Sequence, residues 1–465
     1  MNKMNIKNNE IINLSMPIIA EQFLTVFLGV INAIIASQIG KETASAISMA
    51  DSINIIFISV FSSLAVGGTV VVAQFKGRDD KSAANEASGQ AVVSAVLLSS
   101  FLAIVMWILR HIILHALYSS AQPVVLEQSN LYFSITLFTY PLIALILAAS
   151  GILRGAGDMK TPMKVNIMMN IANIIFSYVL VYGIEIPFIH IHIPALKIKG
   201  AALGIGLARL LGAAAITYVL LRGSGTIRLD AGNLLKIDWN LQKKIFSIGI
   251  PAALESLLFN GGKLITQVFV VGMGTVATAV FYVTSSMNNL YCVPINSFAI
   301  AATTLVGHNI GSGNAKKAEN DMIYVVKLAT IFTAAVCIPS IPFVKYLSLL
   351  YSRDIEVINL SAQILLVYCM VTLFILPASF VLPAGFKGAG DAKYTLVTSF
   401  ASMWIFRVAG GYMFGVILKM GVQGIWIGMY TDWLARGILY YVRLKSGKWK
   451  MHDILKEQVQ VNKKQ

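Results

Sequence analysis

The sequence predicts an all-α polytopic membrane protein made of two pseudo-symmetric bundles of six transmembrane helices. Three observations support this fold class. Of the 465 residues, 57% are hydrophobic and 12% are charged, whereas soluble proteins carry roughly 25% charged residues. Apolar runs long enough to cross a bilayer recur along the whole chain. Finally, one glycine-rich phrase occurs twice, as RGAGD from Arg154 and as KGAGD from Lys387.

The apolar runs predict twelve membrane-spanning helices. The hydrocarbon core of a bilayer requires about 20 consecutive apolar residues in a helix. The predicted spans are residues 11–39, 46–74, 86–109, 125–153, 162–184, 195–221, 241–273, 278–306, 318–344, 356–386, 393–418 and 421–442. They leave no room for a soluble domain of ordinary size.

Basic residues indicate which ends of the spans face the cytoplasm. The net charge is +15, and 24 of the 36 Lys and Arg lie in or beside segments that are cytoplasmic if the amino terminus is inside. The outer loops and the span ends beside them hold 7, which matches the positive-inside rule and places both termini in the cytoplasm. The charge is explained by topology, so no nucleic acid partner is expected. Five basic residues lie deep within spans, more than five residues from either end: Arg209, Lys263, Lys327, Arg407 and Arg436.

The second half of the sequence repeats the first at a nearly constant offset. At an offset of 234 residues the coinciding pairs are Pro17 and Pro251, Glu21 and Glu255, Gly40 and Gly274, and Gly77 and Gly311. We predict a six-helix lobe at 1–221, a cytoplasmic linker at 222–240, a second six-helix lobe at 241–445 and a basic cytoplasmic tail at 446–465. Because each lobe has an even number of spans, both run in the same direction, and transporters with such repeats bind substrates near the bilayer midplane.

The duplicated phrase lies between the fourth and fifth spans of each lobe. Its glycines permit a tight turn, and its aspartate can accept hydrogen bonds at the start of the next helix. We interpret it as a structural elbow without substrate contact, since the spacing of a phosphate-binding loop is absent. The elbow residues are Arg154, Gly155, Gly157 and Asp158, and in the second copy Lys387, Gly388, Gly390 and Asp391.

Acidic residues inside spans are candidates for ion coupling or substrate binding, because a charge in the membrane normally faces a partner or a cavity. Glu255 lies near mid-membrane and shares a helix face with Phe259 and Thr266. It either couples transport or forms a structural contact between helices. Lys263, two turns further on, is a candidate partner that would neutralise it. In the twelfth span, Asp432 and Arg436 are spaced as a local ion pair.

Two further acids and two amides complete the coupling candidates. Glu21 repeats the geometry of Glu255, and it either couples transport or satisfies a neighbouring backbone group. Asp51 lies in the outer half of the second span. Asn32 and Asn173 supply neutral oxygens, which together with a carboxylate suit a hard cation such as sodium. The alternative for these amides is hydrogen bonding between helices.

Aromatic and methionine side chains are candidates for a substrate pocket. Aromatic faces attract organic cations, and methionine adapts to irregular shapes. The alternative is that these side chains face lipid or the helix core. The candidates are Tyr140, Phe57, Tyr282, Met287 and Tyr291.

The order and duplication of these motifs resemble the multidrug and toxic compound extrusion (MATE) family. The resemblance rests on LRGAGDMKTPM and its second copy, on Gly77 and Gly311, and on the PxxxE starts of the first and seventh spans. It implies a V-shaped pair of six-helix bundles that exports organic cations and other amphipathic compounds in exchange for protons or sodium ions. Many members have aspartate at the position of Asn32, and some at that of Ser177, so the ion site does not transfer from the family.

We therefore expect a secondary active antiporter that exports cationic or amphipathic drugs by alternating access, driven by H⁺ or Na⁺. The alternative is a lipid-linked precursor flippase or a specialised metabolite exporter of the same superfamily. An enzyme is not expected, since nucleophile-elbow, HExxH and Walker motifs do not occur. No metal and no cofactor beyond the coupling ion is expected. The expected protein is a monomer in the cytoplasmic membrane, with small molecules and bilayer lipids as partners.

Overall fold

The structure is a computed structural model in which residues 2–119, 121–186, 191–223, 227–230, 232 and 237–451 are described. The chain there is almost entirely helical, which confirms the predicted all-α class. The predicted linker 222–240 and tail 446–465 lie partly outside the described residues. The lobe boundaries drawn from the sequence remain predictions.

The described residues of the first half of the chain form seven helices. Their bounds are α1 (Asn2–Ile39), α2 (Lys41–Gly77), α3 (Lys81–Leu117), α4 (Pro123–Leu137), α5 (Tyr140–Gly155), α6 (Lys160–Tyr182) and α7 (Lys197–Arg222). Two short antiparallel strands, β1 (Ile184–Ile186) and β2 (Ile191–Ile193), connect α6 to α7. The sequence patterns do not predict these strands.

Within residues 237–451, nine further α-helices follow. Their bounds are α8 (Trp239–Gly272), α9 (Thr275–Tyr291), α10 (Val293–Gly311), α11 (Ala315–Ser340), α12 (Val344–Leu349), α13 (Ile355–Phe374), α14 (Leu376–Ala389), α15 (Ala392–Ser402) and α16 (Gly421–Ser446). Beyond α15 the chain continues as two π-helical stretches, Met403–Gly410 and Met413–Ile417. Such stretches are rare and are frequently found at functional sites.

Prolines divide some of the predicted spans into bent helix pairs. The helices α4 and α5 meet at 49°, and α9 and α10 meet at 44°. Pro141 and Pro294 stand in the first turns of α5 and α10, where a helix tolerates the missing N–H. Among the described residues, nine helices are long and apolar enough to cross a bilayer, or eleven if each bent pair is one span. The twelfth predicted span is α16, whose 26 residues include charged side chains.

The chain divides into two compact units. We call Ala20–Val72 with Asp80–Gly249 the amino-terminal unit, and Met1–Ile19, Ala73–Asp79 and Ile250–Gln465 together the carboxy-terminal unit. The core of the amino-terminal unit includes the buried ring of Tyr140, whose centroid lies 5.4 Å from that of Phe61. In the carboxy-terminal unit, Phe386, Tyr440 and Trp449 pack into one cluster of buried residues.

The end of α2 packs within the carboxy-terminal unit. Gln74 Nε2 donates to the backbone oxygen of Gly388 at 3.1 Å. A Cβ atom on Gly77 would overlap the backbone of His308, and one on Gly311 would overlap the backbone of Gln74. Gly77 and Gly311 are equivalent at the offset of 234, as are Gln74 and His308. Glycine stands at both positions because two backbones approach closely there.

Candidate functional sites in two cavities

The acid at the start of the first span pairs with the basic residue of the first elbow. Arg154, in the last turn of α5, contacts Glu21 of α1 at 2.6 Å. Asn166 of α6 donates to the same carboxylate at 2.7 Å. Glu21 is only 4% exposed, and these contacts of its carboxylate are with side chains of α5 and α6 rather than with a backbone group. Removing one member of such a buried pair leaves an uncompensated charge, which costs about 3–5 kcal/mol.

The second copy of the sequence forms the same kind of pair. Lys387, in the last turn of α14, contacts Glu255 of α8 at 2.9 Å. Ser399 and Thr395 of α15 donate to this carboxylate at 2.8 and 3.2 Å. The partner of Glu255 is therefore the elbow lysine and not Lys263, whose amine lies against an aromatic ring instead. These contacts favour the structural alternative for Glu255.

The elbow glycines allow each phrase to approach a neighbouring helix. A Cβ atom on Gly155 would lie 2.5 Å from the backbone oxygen of Thr69 in α2. A Cβ atom on Gly388 would overlap the backbone oxygen of Thr303 in α10. Thr69 and Thr303 are equivalent at the offset of 234, so both copies use glycine for the same contact. Each phrase also has a glycine in the left-handed region: Gly157 with φ 94° and Gly390 with φ 99°.

The two elbow aspartates differ in their partners. Asp158 accepts a hydrogen bond from the backbone N–H of Thr161 at 3.0 Å, which is the predicted capping contact at the start of α6. Asp391 makes no capping bond with its side chain. Its carboxylate contacts Arg443 of α16 at 2.8 Å, so the capping prediction is wrong for Asp391. Both contacts would be charge-assisted hydrogen bonds, but the contact with Arg443 also brings two opposite full charges together.

The amino-terminal unit contains a cavity of about 580 Å³ lined by residues of α1, α2, α4, α6 and α7. Three of the predicted coupling residues, Asp51, Asn32 and Asn173, line it together with Ser177. Asp51 is the acid of this lining, and none of the described lining residues is Lys or Arg. We call this the acidic cavity. It unites residues that are distant in sequence, as the predicted cation site requires.

Asp51 is held by hydrogen bonds from neutral donors. Asn54 Nδ2 donates to Asp51 Oδ1 at 3.1 Å, and the Tyr132 hydroxyl donates to the same oxygen at 3.3 Å. The hydroxyl of Tyr140 donates to Asn54 Oδ1 at 3.0 Å and so orients the amide. Arg209 of α7 lies in the neighbourhood of Asp51. Its guanidinium donates to a threonine hydroxyl at 2.5 Å, and it does not line the cavity.

The carboxy-terminal unit contains a second cavity, of about 430 Å³. Lys263 of α8 and Arg407 of the first π-helical stretch line it, and no Asp or Glu occurs among its described lining residues. We call this the basic cavity. Its neutral polar lining consists of Thr266, Gln267, Ser285, Asn288, Asn289 and Asn296, with the Cys292 thiol.

Three cations surround one aromatic ring of the basic cavity. Lys263 Nζ lies 4.8 Å from the ring centroid of Phe259, and the guanidinium carbons of Arg407 and Arg436 lie at 5.1 and 5.2 Å. Asp432 of α16 contacts Arg436 at 2.7 Å and Arg407 at 3.1 Å. The predicted local pair of Asp432 and Arg436 is thus confirmed, with Arg407 added. One carboxylate among three cations leaves this region positive.

The five aromatic and methionine residues predicted for a substrate pocket do not line either cavity. Tyr140, Met287 and Tyr291 are buried in helix cores, and Phe57 packs on Tyr140 with ring centroids 5.7 Å apart. Tyr282 is 65% exposed. Aromatic identity alone does not distinguish core, surface and cavity positions. The aromatic rings that line the basic cavity are Phe259, Phe281, Phe380 and Trp433.

Two basic cavity residues, Lys263 and Arg407, are not identified by the sequence motifs. The internal repeat contains a signal for both of them, because the offset of 234 relates cavity positions in the two units. It relates Asp51 to Ser285, Gly29 to Lys263 and Asn173 to Arg407, and all six line a cavity.

The fold and the cavities define a multi-pass membrane protein in which one helical design occurs twice, each time with a polar cavity. The family model MatE matches residues 17–179 and again residues 251–413, once in each half. The chain belongs to the MatE family, which confirms the resemblance to MATE transporters.

Relatives of known sequence and structure agree with this assignment. The chain is 24% identical over 452 residues to a probable multidrug resistance protein NorM of Thermotoga maritima, covering 96% of this chain and 94% of the relative. It is 26% identical over 446 residues to an uncharacterized transporter YisQ of Bacillus subtilis, covering 95% of each chain. A solved outward-facing structure of a multidrug resistance MATE family transporter superposes with a TM-score of 0.82 at 21% identity, over 96% of both chains.

Proposed function

We propose that the protein is a secondary active antiporter that exports cationic or amphipathic drugs in exchange for H⁺ or Na⁺ by alternating access. It acts as a monomer in the cytoplasmic membrane, with both termini in the cytoplasm. Membership of the MatE family supports a transport function. The multidrug resistance named for the relative of Thermotoga maritima supports drug export.

The observation that carries the proposal is the environment of Asp51. Glu21, Glu255 and Asp432 each contact a lysine or arginine. Asp51 instead faces a cavity and has neutral hydrogen-bond donors. An acid placed in this way inside a membrane protein is functional by default. Its carboxylate binds a proton, a sodium ion or a cationic substrate, but one at a time, and this competition couples the two fluxes.

Neutral groups of the acidic cavity support the role of Asp51. Asn32 and Asn173 line the same cavity, and amide oxygens are suitable additional ligands for sodium. Under this proposal Glu21 and Glu255 act mainly on structure, because each holds an elbow through an ion pair. The coupling ion and the substrate then meet at one carboxylate.

Dye flux in proteoliposomes tests the proposal. The purified protein is reconstituted, the liposomes are loaded with ethidium, and a proton gradient and a sodium gradient are imposed in separate experiments. We expect flux with one gradient and a decrease of about tenfold or more, or about 1.4 kcal/mol, in Asp51→Asn. Glu356→Gln, which neutralises an exposed acid in the first turn of α13, is the matched control. Full gradient-driven flux in Asp51→Asn would show that Asp51 is not the coupling residue.

One observation favours the alternative of a flippase for lipid-linked precursors or an exporter of a specialised metabolite. The basic cavity presents Lys263 and Arg407, which suit an acidic substrate better than a cationic one. Absence of ethidium flux with either gradient, in protein that is folded, would favour this alternative.

A further inference from the structure

We propose that the basic cavity is a binding site for the anionic group of an aromatic small molecule, such as a carboxylate, sulfonate or phosphate. Lys263 and Arg407 bind the acidic group, and the surrounding rings contact the apolar body. The inference rests on the proposed function, because it takes the ligand to be an exported molecule. It extends the substrate class to compounds that carry an acidic group, alone or beside a cationic one.

The balance of charges favours an anion. Around Phe259 there are three cations, Lys263, Arg407 and Arg436, and their described carboxylate partner is Asp432. The local balance is therefore two positive charges in excess. No carboxylate forms an ion pair with Lys263 among the described residues. An excess of positive charge attracts an anion and repels an organic cation. The effect is strongest at the buried Arg407, where the dielectric constant is low, and weaker at Lys263, which is exposed.

Two buried donors of the cavity wall lack a partner. Arg407 is only 2% exposed, and its Nη2 has no hydrogen-bond partner in the part of the chain that the structure describes. Trp433 is also buried, and its indole Nε1 likewise has no hydrogen-bond partner among the described residues. Both residues line the basic cavity. Buried polar groups in proteins are normally hydrogen-bonded. Both donor atoms are closed to solvent, so each donates to the oxygens of an anionic group only after its side chain moves towards the cavity.

The remaining lining suits a molecule that joins an acidic group to an aromatic body. The amides of Gln267, Asn288 and Asn289 provide further donors, while Phe281 and Phe380 provide apolar faces. A volume of about 430 Å³ lies within the range of small-molecule sites, roughly 300–1,000 Å³. The cavity can therefore hold an aromatic ring together with its acidic substituent.

The internal repeat shows how the charge of this cavity differs from that of its counterpart. At the offset of 234, Gly29 of the acidic cavity corresponds to Lys263, and Asp51 corresponds to Ser285. One repeat therefore has a carboxylate and no amine at these two positions, and the other has an amine and no carboxylate. The two cavities are built for ligand groups of opposite charge.

A pair of probes with one ring system and opposite charges tests the proposal. Binding of pyrene-1-sulfonate and of 1-pyrenemethylammonium is measured by fluorescence on the full-length protein in phosphatidylcholine nanodiscs, with empty nanodiscs as the blank. We expect the sulfonate to bind at least about tenfold more tightly than the ammonium compound, a difference of about 1.4 kcal/mol. Equal affinities, or tighter binding of the ammonium compound, would overturn the proposal, and this comparison needs no variant.

Variants of Lys263 locate the site. Lys263→Met removes the charge and keeps the length of the side chain, and we expect it to weaken sulfonate binding about tenfold. Lys263→Arg should keep the affinity within about threefold, equivalent to less than 1 kcal/mol. Lys327→Met neutralises an exposed lysine of α11 that does not line the cavity, and it should have no effect. Wild-type affinity in a folded Lys263→Met variant would refute the assigned site.

Two competition experiments distinguish the source of the anionic group. Inorganic phosphate in solution, or phosphatidylglycerol in the nanodisc, is titrated against bound pyrene-1-sulfonate. Displacement by the lipid alone assigns the site to an anionic lipid headgroup, whereas displacement by phosphate assigns it to a soluble anion. Both results support an anion site. The ethidium assay tests the antiporter separately. Sulfonate binding without ethidium flux would contradict the proposed drug antiport. Ethidium flux without sulfonate binding would contradict only the proposed anion site.

Discussion

In the amino-terminal unit, the cavity presents the carboxylate of Asp51, whereas in the carboxy-terminal unit the cavity presents Lys263 and Arg407. The elbows differ far less. In each repeat, an acid of the first helix pairs with the basic residue of the glycine-rich phrase. The pairs are Glu21 with Arg154 and Glu255 with Lys387. The comparison shows that the two copies share the contacts that hold helices together. They differ in the groups that face a cavity, where a side chain can change without disturbing the packing.

The largest expected effect concerns the elbow pairs. We expect Arg154→Met to lower the free energy of unfolding by about 3–5 kcal/mol, because Glu21 is buried and loses its charged partner. Lys387→Met should cost less, about 1–3 kcal/mol, because Glu255 keeps two hydroxyl donors, Ser399 and Thr395, whereas Glu21 keeps the amide of Asn166. Unfolding in mixed micelles titrated with SDS measures both values. Equal losses would show that these hydroxyls do not replace a charged partner.

The elbow glycines come next, and here the two units should respond alike. Gly155→Ala and Gly388→Ala should each destabilise the protein by about 1–3 kcal/mol, because the new methyl group meets backbone atoms of Thr69 or Thr303. Gly261→Ala in α8 is the control, since its methyl group would meet no atom within 4 Å. It should be neutral or stabilising by about 0.5–1 kcal/mol, as expected for alanine in a helix. The same SDS titration serves, and an unaffected Gly388→Ala would contradict the close approach.

Adding a carboxylate to the basic cavity tests whether the charges of the two cavities determine which ligands they bind. Ser285→Asp places a carboxylate in the basic cavity at the position that corresponds to Asp51. We expect the affinity for pyrene-1-sulfonate to fall about tenfold, or about 1.4 kcal/mol, because the new carboxylate reduces the positive excess. Ser285→Asn is the control of similar size and should bind as the wild type does. Unchanged binding in Ser285→Asp would mean that the sulfonate is bound elsewhere.

The smallest expected effect concerns one tyrosine in each unit that donates a hydrogen bond to a residue lining the cavity. Tyr132→Phe removes the hydroxyl that donates to Asp51 at 3.3 Å, and it should weaken binding of the coupling ion by about 0.5–1.5 kcal/mol. Tyr368 donates to Asn288 at 2.7 Å in the other unit, so Tyr368→Phe should leave ion coupling unchanged. The concentration of H⁺ or Na⁺ that gives half-maximal ethidium flux measures both effects. An equal change in both variants would contradict the separation of the two roles.

Much of the fold follows from local properties of the sequence. Apolar runs of sufficient length predict the helices, because a backbone in lipid must satisfy its hydrogen bonds within the segment. The repeat of RGAGD as KGAGD predicts two copies of one design. Pro141 and Pro294 mark in the sequence the breaks before Tyr140 and after Tyr291. The sequence does not predict the π-helical stretch that contains Arg407, because a π-helical turn depends on small differences in backbone geometry that hydropathy does not report.

The candidate site was only partly predictable for a related reason. From the sequence, three acids are equally good candidates for the site, because each lies within an apolar run that is expected to be in the membrane. They are Asp51, Glu21 and Glu255. The difference between them lies in their neighbours. The charge of Glu21 is paired with Arg154, which lies 133 residues away along the chain. A local sequence pattern cannot predict a contact between residues so far apart.

The sequence by itself determined the membrane class, the duplicated plan and the residue types of both elbows, because these depend on hydropathy, offset and composition. Only the tertiary structure decided which acids are paired, and which of them faces a cavity. It also decided that Lys263 and Arg407 meet at one ring, Phe259. The physical reason is that Coulomb energies depend on the distance between charges and on their exclusion from water. Packing of helices that are remote in sequence sets both quantities.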